Sequence, residues 1–587
     1  MRITSFLLCV ICILQLSCVK NENPGSNHEK PNVILILTDD QGYGDLGING
    51  NPYIHTPHLD SLAKRSTQFV NFYVDPVCAP TRSALLTGKF YLRTGIYDTF
   101  NGGAIMDSKE TTLAELFAKN GYQTAQSGKW HMGDHYPSRP SDQGFIHSLH
   151  HKSGGIGQVG DLDNFYRMDS SYFDPILYLN NHPEKFSGYC ADIFTEEALE
   201  FIDSNTQNPF FLYLAFNTPH DPLQVPEEYL QNYQGLDFGL NDRNANAARR
   251  VYAMVENIDY NISRIINCLD HNDLMKNTII IFMSDNGPIP DRYNAGLRGR
   301  KGSVYEGGIK VPFFIYYPDV FKAGEIIKQH VAHVDVMPTL LDLCGLEKDI
   351  PEDIDGRSFL PLTKGDSSFF QERILYWQWN RGYPDLYNNI AVRQGDFKLV
   401  GNCRYDADID EFELFNIRED PSESNNLISE QRSKAIGLKG HLDNWYRQVI
   451  LEEGNPKPQG AIIDMQYQDV YTLTRNDAKG TPEQWKNDEV FSYWDVEFAR
   501  SGFYDITFHF YHHPKKPGNL VLKMAPIEYD VYNTDTTRNE YTLRNCYFNK
   551  GRNNLEAYYR LGFSEIVSPL GLSIRASETR KERDWNP

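Results

Sequence analysis

Asp39 and Asp40 close the apolar run "NVILILTDD", and Asp285 and Asn286 close a second, "NTIIIFMSDNG". Three carboxylates and an amide are hard oxygen donors suited to calcium or magnesium. Taken singly, each pair reads as turn residues, because Asp, Asn and Gly favour turns. Two such pairs, each ending a buried run, read better as one cation site. Positive groups accompany them: Arg82, Lys129 in "SGKWHMGDH" and Lys301 in the glycine-rich "LRGRKGSVYEGG". With His131 and His220 these can build an anion pocket. Read one by one, they are solvated lysines and hydrogen-bonded structural histidines. Cys78, in "VCAPTRSALLTGK", stands four residues before Arg82 and just ahead of a helical pattern.

These residues need elements to position them. "NVILILTDD" reads as a buried, central parallel strand, since both faces are apolar. "PFFLYLAFNTPH" and "NTIIIFMSDNG" read the same way. Helical periodicity fills 191–204 and 247–269, and "TTLAELFAKNGYQTAQSGKW" is a helix closed by Gly121 and followed by a strand. Strands alternating with helices predict an α/β layered domain, over 31–372. Binding groups in such sheets gather at the carboxyl ends of the strands, where Asp39, Asp40, His220, Asp285 and Asn286 all fall. From about Arg373 the pattern becomes short strands with hairpin breaks, which predicts a small antiparallel α+β subdomain over 373–455. "GNPKPQG" reads as a linker. Beyond it, from 462 to 587, alternating apolar and polar residues predict an all-β sandwich with Trp494 in its core.

The chain has 587 residues and a formal net charge of -21, with 40% hydrophobic and 23% charged residues. That composition supports packed cores rather than disorder, and the acidic balance argues against non-specific nucleic-acid binding. It leaves room for a local cationic pocket and an anionic substrate. "MRITSFLLCVICILQLSC" (1–18) has one early arginine and an apolar run too short to span a bilayer, as in a secretion signal. "QLSC" resembles a bacterial lipobox with Cys18 lipidated, although Gln15 departs from the usual aliphatic residue. Residues 19–30 read as a tether. The expectation is export to the periplasm or to the outer membrane or cell surface, with membrane contact only through that lipid. The remaining cysteines are irregularly spaced, which fits neither a disulfide framework nor a zinc site. Cys268 and Cys344 lie in apolar helical patterns and read as buried core thiols.

"CAPTRSALLTG" resembles the cysteine-type sulfatase motif C-x-P-x-R followed by a helix. "NVILILTDDQGYGDLG", "GKWHMG", "NTPHDP", "SDNGP", "LRGRKGSVYEGG" and "HVDVMPTLLDLCG" are similar to further sulfatase segments, in the family's order, over roughly residues 31–450. The resemblance implies an alkaline-phosphatase-like fold: a large mixed sheet flanked by helices, with the antiparallel subdomain and the appended β-sandwich. It implies that a sulfatase-maturing enzyme oxidises Cys78 to formylglycine, whose hydrate is the nucleophile. It also implies one Ca2+ on Asp39, Asp40, Asp285, Asn286 and the modified Cys78. Lys129, Lys301 and Arg82 would neutralise charge. His131 would contact the second diol hydroxyl, and His220, with Lys301, would protonate the leaving alkoxide. A hemiacetal ester can collapse to release sulfate, whereas a serine ester would be stable, which accounts for the cysteine.

The leading substrate is a sulfated polysaccharide, such as algal ulvan, chosen from the architecture rather than from any residue. A glycosaminoglycan is the second choice. Two other readings stand beside it: a phosphoester or phosphonate hydrolase of the same superfamily, and an inactive glycan-binding protein. Trp377, Trp379, Tyr383 and Tyr387 could stack on sugars or pack the subdomain, and Arg381 could contact a uronate or a second sulfate. "HSLHHKSGG" (His147 to Gly155) reads as a surface loop or a pocket loop. The sequence does not indicate an oligomeric state.

Overall fold

The computed structural model describes residues 30–578, except 168, 482, 484–486 and 563–564. The expected leader, with Cys18, and residues 19–29 of the expected tether lie outside the described residues. Among those residues no helix is long and apolar enough to cross a membrane.

A ten-stranded mixed sheet forms the centre of the larger part. Five strands concern the site: β1 (Asn32–Thr38), β2 (Gln123–Lys129), β3 (His147–His151), β4 (Phe210–Ala215) and β5 (Thr278–Ser284). They lie side by side in the order β5-β1-β4-β2-β3, all parallel. Antiparallel strands flank them: Phe313–Tyr316 beside β5 and Ile176–Leu179 beside β3. Successive side chains of β1 explain its central place. Val33, Leu35 and Leu37 enter one core, and Ile34 and Ile36 enter the other, so helices cover both faces.

Register then aligns the chemistry. Thr38 pairs with Ser284, Leu37 and Gly128 both pair with Ala215, and Lys129 pairs with His151. The residues that follow these strands therefore emerge at one edge. Gly128 is required there. Its φ is +114°, and a Cβ would sit 1.9 Å from the carbonyl oxygen of Ala215.

The expected subdomain is a four-stranded antiparallel sheet (Ile374–Gln378, Ile390–Gln394, Phe397–Gly401, Glu413–Asn416) backed by the helix Arg432–Tyr446. The sandwich is present as a seven-stranded and a four-stranded sheet. Trp494 is buried between them and donates its indole N–H to the Thr474 carbonyl at 2.7 Å. The sandwich sheet already includes Ala461, which pairs with Val496.

Two expectations need correction. His147–His151 is a strand rather than a loop, and its last four residues are buried, because β3 is covered on one side by β2 and on the other by the Ile176–Leu179 strand. Cys344 is buried as expected, but Cys268 is only half-buried and meets Asp203 Oδ1 at 3.3 Å. The six cysteines among the described residues are all unbridged.

Candidate active site

Cys78 is the first residue of helix α1 (Cys78–Thr87), which begins directly after the extended Val77 and ends at Gly88 in the left-handed conformation. Every residue of this helix is buried, so it lies beneath the site rather than on the surface. Its N-terminal dipole favours negative charge developing at position 78. One turn on, Arg82 is fully buried and donates to Asp285 Oδ2 through Nε (3.1 Å) and Nη2 (2.7 Å), and to the Lys129 carbonyl. The i, i+4 spacing seen in the sequence thus ties Cys78 to the carboxylates.

Asp39, Asp40, Asp285 and Asn286 come together, all fully buried. Lys129 Nζ stands 2.6 Å from Asp39 Oδ2, and Lys301 Nζ 2.6 Å from Asp40 Oδ1. Asn286 donates its amide to Asp40 Oδ1 at 2.8 Å. Three oxygens are left over: Asp39 Oδ1, Asp40 Oδ2 and Asn286 Oδ1 are buried and have no hydrogen-bond partner. Buried acceptors are nearly always satisfied, and charged ones are costly to leave alone. Single ligand atoms of Asp39, Cys78 and Asp285 also lie within 4.8 Å of one another. The carboxylate and amide oxygens of Asp39, Asp40, Asp285 and Asn286 are a donor set that fits a hard divalent cation.

The electrostatics follow from burial and neighbours. Burial and the adjacent Asp39 push Asp285 up to about 6, against the pull of Arg82 and Lys129. Burial also pushes Asp40 up, but the Lys301 ammonium and His220 outweigh it and hold the carboxyl below its ordinary range. Burial raises the Cys78 thiol, with Lys129 and Lys301 opposing.

Both histidines have a defined tautomer. The Thr99 carbonyl lies 2.7 Å from His131 Nε2, so that nitrogen is the donor. Nδ1 is left bare and sits 3.3 Å from Cys78 Sγ. His220 Nδ1 donates to the Asp221 carbonyl at 2.7 Å, which leaves Nε2 facing Asp40 Oδ2 at 3.8 Å. Burial depresses both rings: His131 falls well below its ordinary value, and His220 falls to about 3, with Lys301 contributing. Each is neutral at neutral pH. Asp40 and His131 both adopt positive φ (+64° and +61°), a strain that persists only where surroundings hold it.

The expected sugar-facing residues divide. Trp377 and Tyr387 are core, and Tyr387 donates to Asp443 at 2.6 Å. Trp379 packs its ring against Gly302, the residue that follows Lys301. Tyr383 is exposed and stacks on Tyr97. Arg381 also stands at the rim, but its guanidinium is paired with buried Asp98 and stacked over Phe100 and Trp379. Its charge therefore holds the 98–100 loop rather than standing free.

The sequence reading missed the residues that hold the site in place. Arg292 and Asp45 form a fully buried pair, and Arg292 Nη2 donates to the Asp40 carbonyl at 2.8 Å, steadying its strained backbone. The sandwich contributes Asn476. Its carbonyl accepts from Gly102 N at 3.0 Å, beside the loop that carries Thr99, and its Oδ1 accepts from Ser153 Oγ at 3.2 Å. Ser153 precedes Gly154, where a Cβ would lie 2.7 Å from His131 Cε1. One sandwich residue thus braces both loops that hold His131. Asn476→Ala keeps the carbonyl that binds Gly102 but removes the Ser153 contact, and is expected to lower kcat several-fold with little change in KM, because it loosens the loop packed on His131 rather than removing a substrate contact. Steady-state kinetics at matched folded fraction check this, and an unchanged kcat would remove the bracing role.

Comparison with known proteins places this geometry. The sulfatase family model matches residues 31–346, and the model for the C-terminal region of N-sulphoglucosamine sulphohydrolase matches 300–447. An N-acetylgalactosamine-6-sulfatase of Mus musculus is 31% identical over 397 residues, which is 63% of this chain and 72% of that protein. An ulvan-active sulfatase of Formosa agariphila is 29% identical over 525 residues, covering 84% of this chain and 94% of the relative. Among solved structures, Ps i-CgsB aligns with a TM-score of 0.63 and 30% identity over 71% of this chain and 93% of its own. The family model spans more than half of the chain, and the buried oxygens and Cys78 lie inside it: the protein belongs to the sulfatase family and is a sulfuric ester hydrolase.

Proposed function

We propose that this sulfatase removes sulfate from carbohydrate, with an algal polysaccharide such as ulvan as the leading substrate, by chemistry at a converted Cys78. The observation that carries the reading is the convergence of three orphaned buried oxygens with Cys78 at a helix N-terminus. A thiol used directly as nucleophile needs a depressed pKa, whereas burial raises this one, so Cys78 suits a precursor better than a nucleophile. Cys78 is only 2% exposed, so a maturing enzyme acts on it before the chain has folded.

Asp39, Asp40, Asp285 and Asn286 would hold the divalent cation, calcium by family resemblance, which supplies Lewis-acid neutralisation of the sulfate. The aldehyde hydrate at position 78 supplies the attacking oxygen and a hydroxyl whose loss of a proton frees sulfate. His131 Nδ1, bare and facing position 78, takes that proton. Lys129 and Arg82 are fully buried and fix the carboxylates. Lys301 and His220 are the partly open pair. An anionic ester beside His220 Nε2 raises its proton affinity, so a proton held there passes to the leaving oxygen. The ulvan-active relative aligns over more of this chain than the mouse enzyme does, which supports the algal choice over glycosaminoglycan. We also propose export with lipidation at Cys18, from the leader pattern alone.

The test is free sulfate released by maturase-treated protein from ulvan and glycosaminoglycan oligosaccharides. Release from one class identifies the substrate. No release from any, with conversion of Cys78 confirmed by peptide mass, overturns the carbohydrate reading.

A further inference from the structure

A cleft of about 610 Å³ lies between the edge of the large sheet and the sandwich, on residues the catalytic chemistry does not use. Its volume falls within the roughly 300–1,000 Å³ of small-molecule sites. We propose that this cleft is a second carbohydrate site, which holds an anionic segment of a polysaccharide away from Cys78. The choice of polymer rests on the carbohydrate reading above; the site itself does not.

Lys152 carries the argument. It is half-buried, and among the described residues no carboxylate stands within 4.0 Å of its ammonium, in a protein with a net charge of -21. The ammonium instead sits 4.2 Å from the Tyr178 ring centroid. Its charge is felt by buried Asp134 and Asp161, but with no direct ion pair its three N–H donors stay available to a sulfate or uronate. Asp469 is the one carboxylate lining the cleft, and Arg139 adds a second cation, itself paired with Asp142. The sandwich wall supplies Tyr467, which is 56% exposed and stacks on Tyr136 with ring centroids 4.1 Å apart. One face is thereby fixed and the other is free for the apolar face of a sugar. His150, 2% exposed, lines the cleft with Nδ1 unpartnered.

The walls are locked together. Gln468 Oε1 accepts from Tyr136 N at 3.2 Å across the domain junction. The cleft is therefore preformed, which lowers the cost of ordering it around a ligand. Lys152 also stands two residues from Gly154, which packs on His131, so the cleft and the reaction centre lie along the same short segment. A polymer several sugars long held in the cleft raises the local concentration of its neighbouring sulfates at the site.

The experiment is affinity electrophoresis of the Cys78→Ala protein in gels containing ulvan or chondroitin sulfate, with dextran as the uncharged control. The expected result is retardation by a sulfated polymer that survives Lys301→Ala. Lys152→Ala and Tyr467→Ala should each weaken it by about fivefold, equivalent to ~1 kcal/mol. In the converted enzyme the same two substitutions leave the rate on a sulfated disaccharide within about twofold. Retardation unchanged by both substitutions, or absent in both polymer gels, overturns the proposal. So does an equal loss of rate on polymer and disaccharide. If Lys152→Ala fails to fold, the exposed Tyr467→Ala decides alone. If the wild-type enzyme releases no sulfate from anything, the function proposed above fails while the gel result still judges the cleft.

Discussion

Cys78→Ala is expected to lower sulfate release by at least about 10³-fold, because in the proposed chemistry alanine lacks the thiol whose oxidative loss would turn Cβ into the aldehyde. Stability should barely move. The side chain is buried, but its one hydrogen-bonding contact is His131 Nδ1, and losing a single such bond costs about 1 kcal/mol. Activity and stability therefore separate at this position, which distinguishes loss of chemistry from loss of fold. Cys78→Ser is the sharper control. A serine hydroxyl in the same place keeps helix α1 and the His131 contact but cannot become an aldehyde by loss of sulfur. Any sulfate it accepts stays as an ester, so turnover stops after one cycle. Sulfate release and thermal midpoint, measured together on both variants, check this. An alanine variant that keeps multiple turnover removes Cys78 from the mechanism.

Removal of divalent metal is expected to abolish activity and lower the thermal midpoint, and calcium should restore both. The physical reason is the three oxygens of Asp39, Asp40 and Asn286 that no hydrogen bond satisfies. A cation that binds only the folded state stabilises it by about 2.7 kcal/mol at a hundredfold excess over Kd. Asn286→Ala takes away one of these oxygens and no charge, and calcium affinity should fall at least about tenfold. The pH dependence has a definite sign. Asp285 is raised to about 6 in the metal-free protein and must be ionised to serve as a ligand. Calcium affinity therefore weakens as pH falls through about 6, with proton release on binding above neutrality small. Calorimetric titration at several pH values measures it. Unchanged stability and turnover in chelator would sink the metal site.

Much of this site was legible because its residues mark the ends of strands. An unbroken apolar run followed by "DD" or "DNG" indicates a strand buried on both faces and a polar cluster where it stops. The C-x-P-x-R spacing puts Cys78 and Arg82 one helical turn apart whatever else surrounds them. Local spacing therefore indicated the strand-end carboxylates and the position of Cys78 at a helix start. It failed where a side chain's role depends on what another segment places beside it. Arg381 looks like a free cation until Asp98 is found under it. "HSLHH" looks like a polar loop until β2 and the Ile176–Leu179 strand cover it. Trp377 and Trp379, the first inside the Ile374–Gln378 strand and the second just past its end, have unlike environments: one is buried in the core, and the other lies against Gly302.

The sequence by itself determined the order of the elements, the candidate oxygen donors at two strand ends and the layered α/β class, since hydrophobic period and strand-end chemistry are local properties. Only the tertiary structure decided which histidine nitrogen faces Cys78, which oxygens are left without a partner and which cations are free. Those depend on contacts between segments far apart in the chain, and Asn476 is the clearest case: it lies 323 positions from Ser153 yet holds the loop that packs on His131.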